Sequence, residues 1–180
     1  MAGVVQRDWG FELLEAVPDF FGPPPVPGRP ACLPECGPGW RPILDRCCVR
    51  IADALLDRER FRFERIRERQ GALRIRWGGR LSPASETAVR EAVDLAEARS
   101  TCVCELCGAE GRLYAADGVL STRCVGHARG SPAGRENIHL TRKTIRARLR
   151  VVVACRYDPE TDSFVDIDAC PSSLGIREEQ

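Results

Sequence analysis

Cys104-Glu105-Leu106-Cys107 and Cys124-Val125-Gly126-His127 place three thiols and one imidazole in two close pairs, with sixteen residues between the pairs. A two-residue spacer lets both side chains of a pair converge from one tight turn, and two such pairs supply the four nitrogen and sulfur donors of a tetrahedral zinc site. Gly108, directly after the second cysteine, permits the positive backbone angle that such a knuckle commonly adopts. Four protein ligands leave no coordination position open, so the spacing predicts one structural Zn2+ held by Cys104, Cys107, Cys124 and His127 rather than a catalytic metal. Structural zinc supplies roughly 10–16 kcal/mol of apparent binding free energy in small finger peptides, more than the core of so short a hairpin can give.

The same residues admit other readings: a pair of disulfides, or four unrelated buried thiols. A disulfide framework has no need of the histidine, and Cys102 competes with Cys104 for the first ligand position. A second group, Cys32, Cys36, Cys47 and Cys48, lacks a histidine and contains an adjacent pair; it reads as buried free thiols, with a second metal ion as the alternative. Catalysis finds little support. With His127 engaged, His139 is the one remaining histidine, in a segment that reads as polar loop. There is no nucleophile elbow, no glycine-rich phosphate loop and no H-x-E before the cysteine pair, and Glu105 reads as a surface residue of the knuckle rather than a proton shuttle. The expectation leans against an enzyme, with a zinc-dependent or zinc-stabilised enzyme of unknown reaction as the alternative, and no small-molecule substrate is implied.

The elements that must position these donors are legible from periodicity. Residues 1–21 carry Trp9, Phe11, Leu13, Leu14, Val17, Phe20 and Phe21, enough apolar surface for a short helix or arm packed on its own core or on a partner. Seven prolines from Pro23 to Pro38 make an extended linker. A helix from about Arg41 aligns Ile43, Leu44, Cys47, Cys48, Ile51, Leu55 and Leu56 on one face. Phe61 and Phe63 alternate and Ile66 falls out of phase, a strand with a bulge; Gly71 turns the chain, and Leu73, Ile75 and Trp77 form the return strand until Gly78-Gly79 ends it. Ser82-Pro83 starts a second helix, whose stripe of Ala88, Val89, Ala92, Val93, Leu95 and Ala96 runs into the cysteines. Between the cysteine pairs, Arg112 to Leu120 folds as a small hairpin about Asp117-Gly118.

Gly126 to Gly134 reads as a loop, and Ile145 to Tyr157 as one strand, with apolar odd positions and arginine at 146, 148, 150 and 156. A turn at 158–162 leads to a strand from Phe164 to Ile167. Keeping Val165 and Ile167 on the face of Val153 and Cys155 pairs odd with odd, which sets Asp166 and Asp168 opposite the arginines.

A formal net charge of +1 over 180 residues, with 43% hydrophobic and 29% charged residues, describes a soluble globular chain with no global attraction to polyanions. Locally the balance differs. From Ser121 to Arg156 eight arginines and Lys143 face Glu136 alone, about +8, a candidate phosphate-contacting segment in which Arg142, Lys143, Arg146, Arg148 and Arg150 are the candidate contacts. A solvated strand face is the plainer alternative. Ten cysteines would suit a secreted disulfide scaffold, but Asp8, Glu12, Glu15 and Asp19 interrupt the first twenty residues, so neither a secretory signal nor a membrane span is expected and the cytoplasm is the expected compartment.

Beyond these derivations, the chain resembles an uncharacterised family of small phage and bacterial zinc-finger proteins. The resemblance rests on Glu35-Cys36-Gly37-Pro38-Gly39-Trp40 leading into the helix with Cys47, on Gln70-Gly71-Ala72-Leu73-Arg74, on Cys104-Glu105-Leu106-Cys107-Gly108 and on Thr122-Arg123-Cys124-Val125-Gly126-His127, and it covers about residues 35 to 128. The family pattern differs at Pro38 and over Arg67-Glu68-Arg69-Gln70. The resemblance implies a zinc site and Cys36 near Cys47, and no activity.

Together these readings predict an α+β protein with two helices, a small antiparallel sheet, a treble-clef or zinc-ribbon-like finger and a C-terminal β-hairpin. Its expected divisions are an arm and linker (1–37), an α+β core with the finger (38–130), and a basic hairpin with a tail (131–180). The expected role is a small zinc-binding accessory protein, a non-catalytic module for nucleic acid or a protein partner.

Overall fold

The computed structural model describes residues 9–22, 32–134, 138–145 and 149–166, with only the backbone described over 138–145 and 149–153. Its architecture is α+β. Helices α1 (Trp9–Ala16), α2 (Arg41–Ala54) and α3 (Pro83–Ser100) accompany strands β1 (Arg60–Arg69), β2 (Ala72–Arg80), β3 (Arg112–Ala116), β4 (Val119–Arg123), β5 (Ser131–Pro132), β6 (Ile138–Ile145), β7 (Leu149–Asp158) and β8 (Ser163–Asp166). The strands form three small antiparallel sheets, ordered β1-β2, β4-β3-β5 and β6-β7-β8. The chain divides into two compact units, Met1–Glu136 and Asn137–Gln180.

The core of the first unit forms where the apolar stripes of α2 and α3 meet the inner face of the β1-β2 ribbon. Leu44, Ile51, Ile66, Leu73 and Val89 are fully buried there. The N-terminal arm packs on the same core: Phe20 and Phe21 close over β1, with ring centroids 5.1 Å from Phe20 to Phe61 and 5.4 Å from Phe21 to Phe63. Phe61 and Phe63 meet edge to face at 5.0 Å, the arrangement that the aromatic quadrupole favours. Serine caps α3 as its sequence predicts, Ser82 Oγ accepting from the Ser85 amide at 3.3 Å. Glu59 holds the turn before β1 by accepting from the amides of Leu56 and Ser82. The Leu56 amide, with Ser85 and Ser82 behind it, lowers the Glu59 carboxyl to about 2.

Several expectations need correction. Helix α2 stops at Ala54; Leu55, just past its end, still packs against the core, but Leu56 is exposed; helical spacing cannot register where the chain stops repeating. Strand β2 continues through Gly78-Gly79 to Arg80, because the Arg60 carbonyl lies where a Cβ of Gly79 would be. The stretch from Cys32 is more than a linker: Glu35 bridges β1 beside Arg67, donating to the Ile66 carbonyl at 2.8 Å and accepting from the Glu68 amide at 3.0 Å. The bulge of β1 is where the phase change put it, between Phe63 and Arg65. Gln70 and Gly71, both at positive φ, make the tight turn.

In the second unit, the single strand expected from Ile145 to Tyr157 is two. β6 and β7 pair from Ile138↔Arg156 to Ile145↔Leu149. The alternation runs through the reversal because paired positions keep the same parity, and residues 146–148 lie outside those described. β8 pairs odd with even: Tyr157↔Phe164 and Cys155↔Asp166. The four-residue connection 159–162 imposes this register, and the buried contact of Tyr157 with Phe164, at 6.0 Å between ring centroids, outweighs burial of Val165, which is exposed. Asp166 therefore pairs at a Cys155 position rather than opposite arginine, and Asp168 and Ile167 lie outside the described residues.

Replacing Leu44 by Ala should destabilise the first unit by about 2–5 kcal/mol, since the site is fully buried. Replacing exposed Leu56 should change stability by less than about 0.5 kcal/mol. Urea unfolding of both variants checks the pair.

Candidate metal centre

The finger begins where α3 ends. Val103 bridges Glu110, the Cys104 amide donates to the Ala109 carbonyl at 2.7 Å, and the Gly108 amide donates back to the Cys104 carbonyl at 2.9 Å. This closes a knuckle with Gly108 at φ +79°. The second pair follows β4 directly: Cys124 leads into the turn Val125–His127, closed by the His127 amide on the Cys124 carbonyl at 3.1 Å. The Glu105 amide donates to the Thr122 carbonyl at 3.2 Å, which holds the two pairs side by side. The loop expected from Gly126 to Gly134 instead contributes β5, paired with β3 at Tyr114↔Pro132 and Ala115↔Ser131. Two residues with proline give too short a signal for a strand.

The donor atoms of Cys104, Cys107, Cys124 and His127 all lie within 4.8 Å of one another. His127 Nδ1 is 3.3 Å from Cys124 Sγ and 3.7 Å from Cys104 Sγ, and Cys107 Sγ is 3.7 Å from Cys124 Sγ. A tetrahedron with metal–sulfur bonds of about 2.3 Å and a metal–nitrogen bond of about 2.0 Å has edges of roughly 3.8 and 3.5 Å. A disulfide needs sulfurs about 2.05 Å apart. The observed spacings are those of a ligand cage, and every described cysteine is a free thiol. Cys104 is buried, Cys124 half-buried, and Cys107 and His127 exposed. The group could hold a metal ion. Cys102 is not part of it: its carbonyl accepts from Gly111 and its sulfur lies 3.7 Å from the Thr101 hydroxyl.

Cys104 stands apart from the other shifted thiols. Burial pushes the Cys104 thiol up, but hydrogen bonds from the backbone of Cys124, Cys107 and Leu106 and from His127 outweigh it, and the value falls to about 6. Cys107 shifts the other way: a backbone hydrogen bond from Ala109 lowers it, but burial and its hydrogen bonds with Cys104 and Cys124 raise it, so Cys104 is the finger thiol that ionises most readily. Burial, aided by nearby charges, pushes Cys36 and Cys48 up to about 12 and Cys47 higher still. These stay protonated, and the Cys47 thiol donates to the Ala92 carbonyl between α2 and α3. Among the described residues, no other group of three or more His, Cys, Asp or Glu gathers as the finger's four do.

Glu105, expected at the surface, is buried and central. Its side chain forms an ion pair with Arg123 at 2.7 Å and accepts from the Gly37 amide at 2.9 Å, while its carbonyl accepts from the Gly39 amide at 2.7 Å. A Cβ on Gly39 would come within 2.3 Å of the Cys104 carbonyl oxygen, so glycine is required for this approach. Trp40, fully buried, donates Nε1 to the Val103 carbonyl at 2.9 Å. Gly37 to Trp40 therefore clamp the back of the knuckle to the start of α2. The signal for this was available: opposite charges at Glu105 and Arg123 sit one residue from a ligand in each pair.

The other candidate residues fall in the second unit. His139 is a β6 residue opposite Cys155 rather than a loop residue. Arg142 and Lys143 lie on β6, at neighbouring positions that alternate in register, and Arg150 on β7; Arg146 and Arg148 lie outside the described residues. No family model, no curated protein and no solved structure matches the chain.

Replacing Glu105 by Ala should cost about 3–5 kcal/mol, because it strands the Arg123 guanidinium in a largely buried position. Replacing it by Gln, which can still accept from Gly37, should cost less. Thermal and urea unfolding of the two variants, with the Arg123→Ala variant to complete a double-mutant cycle, measures the coupling.

Proposed function

We propose that the protein is a zinc-stabilised, non-catalytic binding module of the cytoplasm whose partner is a nucleic acid. The observation that carries the metal assignment is the convergence of three sulfurs and one imidazole nitrogen within 4.8 Å. Three soft sulfur donors with one imidazole in a tetrahedral set favour zinc over the hard cations, which take oxygen. With all four positions filled by protein, the ion's role is to hold the finger against the core. Glu105 is engaged by Arg123 and Gly37 and is not free to move a proton at the metal.

The cytoplasmic reading is supported by the chemistry of the thiols, which must stay reduced to bind metal. No helix among the described residues is long and apolar enough to cross a membrane. The nucleic-acid reading is supported by the excess of arginine over carboxylate from Ser121 to Arg156.

Elemental analysis of the purified protein should find one zinc per chain, and replacing Cys104 by Ser or His127 by Ala should remove it. A strong chelator should lower the melting temperature and abolish the cooperative transition of the first unit. Full retention of structure and melting in the presence of chelator would contradict the assignment.

A further inference from the structure

The outer face of the β1-β2 ribbon carries eight arginines: Arg60, Arg62, Arg65, Arg67, Arg69, Arg74, Arg76 and Arg80. The register sets like charges directly opposite one another at Arg60↔Arg80, Arg65↔Arg76 and Arg67↔Arg74. Directly opposed like charges destabilise a strand pair, and this ribbon does so three times. Folding alone gives no reason for the arrangement. An alternating strand needs a polar outer face, but it is equally well served by mixed signs.

Carboxylates answer only part of this charge. Glu35 pairs with Arg65 at 3.2 Å, Glu97 with Arg74 at 2.9 Å and Glu64 with Arg76 at 3.7 Å. Among the described residues Arg60, Arg62, Arg67, Arg69 and Arg80 form no ion pair. Arg65, Arg67, Arg69, Arg74 and Arg76 line a shallow cleft of about 330 Å³ on this face. The inner face is anchored: Phe61, Phe63, Ile66, Leu73 and Ile75 are buried in the core. The edges are also occupied, β1 by the Glu35 bridge and β2 by the Glu97 carboxylate, which accepts from the Ile75 amide at 2.8 Å. The ribbon is thus a rigid platform with only its arginine face available.

We infer that this face is a docking surface for duplex DNA, with the ribbon lying in the major groove and its unpaired arginines on the flanking phosphates. The inference rests on the nucleic-acid reading above but assigns the contact to the first unit rather than to the basic segment of the second. The major groove, about 12 Å wide, admits a two-stranded β-ribbon. Strands of nine and ten residues extend roughly 30 Å at about 3.3 Å per residue, enough to follow the groove past several phosphates on each side. Arginine suits the task because its planar fork binds phosphate oxygens bidentately. A polyanion on this face would also offset the like charges that the carboxylates leave unanswered, Arg60↔Arg80 above all.

The test is fluorescence anisotropy of the full-length, zinc-loaded protein with a labelled 16-base-pair DNA duplex and the matching single strand, as a function of salt. Five phosphates neutralised by arginines without an ion pair predict a log K against log salt slope of about −4.5, a loss on the order of 500-fold between 50 and 200 mM. The Arg62→Gln/Arg67→Gln/Arg69→Gln variant should lose about three-fifths of that slope, while the corresponding Lys variant should keep it. Free of DNA, the Gln variant should melt no lower than the parent, which excludes misfolding as the cause. If duplex binding persists unchanged in the Gln variant and is lost in Arg142→Gln/Arg150→Gln, the ribbon is not the surface, although the nucleic-acid reading stands. Equal affinity for the single strand overturns the groove placement. No binding by the parent protein at 50 mM salt overturns both the inference and the nucleic-acid reading.

Discussion

Three sulfurs and a ring nitrogen share a space 4.8 Å across, and once the thiols are ionised only a cation among them would offset their mutual repulsion. Two thiolates 3.7 Å apart repel by about 4–5 kcal/mol even at an effective dielectric constant of 20. The cluster contains several such pairs, and the short hairpin beneath it has little apolar area to oppose them: Leu113 and Tyr114 are its buried contributions. A positive ion reverses the sign of this balance. With an ion bound, this corner of the first unit would become the point that fixes the knuckle, the second cysteine-histidine pair and the three-stranded β4-β3-β5 sheet together.

The core transmits that anchoring through a few specific contacts. Gly37, Gly39 and Trp40 hold the back of the knuckle to the start of α2 through the Gly39–Glu105 and Trp40–Val103 hydrogen bonds. At the other side Thr122, fully buried in β4, donates its hydroxyl to the Gly71 carbonyl at 2.5 Å, which ties the tip of the ribbon to the finger. Ser100, the last residue of α3, accepts from the Leu73 amide at 2.8 Å. Helix end, ribbon tip and finger therefore meet at one place. The arginine face of the ribbon is held by the same framework that the metal site completes, so loss of the ion should reach the ribbon through Gly71 and Leu73.

Much of this was legible in the residues, and the failures have physical causes. The four ligands follow from two spacers, because a knuckle is a local structure whose geometry is written within four residues. The bulge near Phe63, the Gln70-Gly71 turn, the Ser82 cap and the Asp117-Gly118 turn are local in the same sense. Glu105 was misjudged because its burial depends on Gly37, which is 68 residues away, and on Arg123, and no periodicity in the knuckle reports on either. The β6-β7 reversal was missed because alternation survives a hairpin whose partners keep parity. The register of β8 is not set by Val165 and Ile167 but by the Tyr157–Phe164 contact and a four-residue connection, and alternation in the sequence does not report either. The arginine ribbon was visible only as alternation. The opposition of like charges appears once the register is known.

The most direct measurement on the central claim is X-ray absorption at the zinc edge of the purified protein. The account predicts a first shell of three sulfurs at about 2.3 Å and one nitrogen at about 2.0–2.1 Å, with imidazole scattering beyond it. The Cys102→Ser variant should give the same shell, because Cys102 lies outside the ligand group. A spectrum with oxygen-rich or open coordination, or protein that carries no zinc and contains Cys107 joined to Cys124, would contradict it.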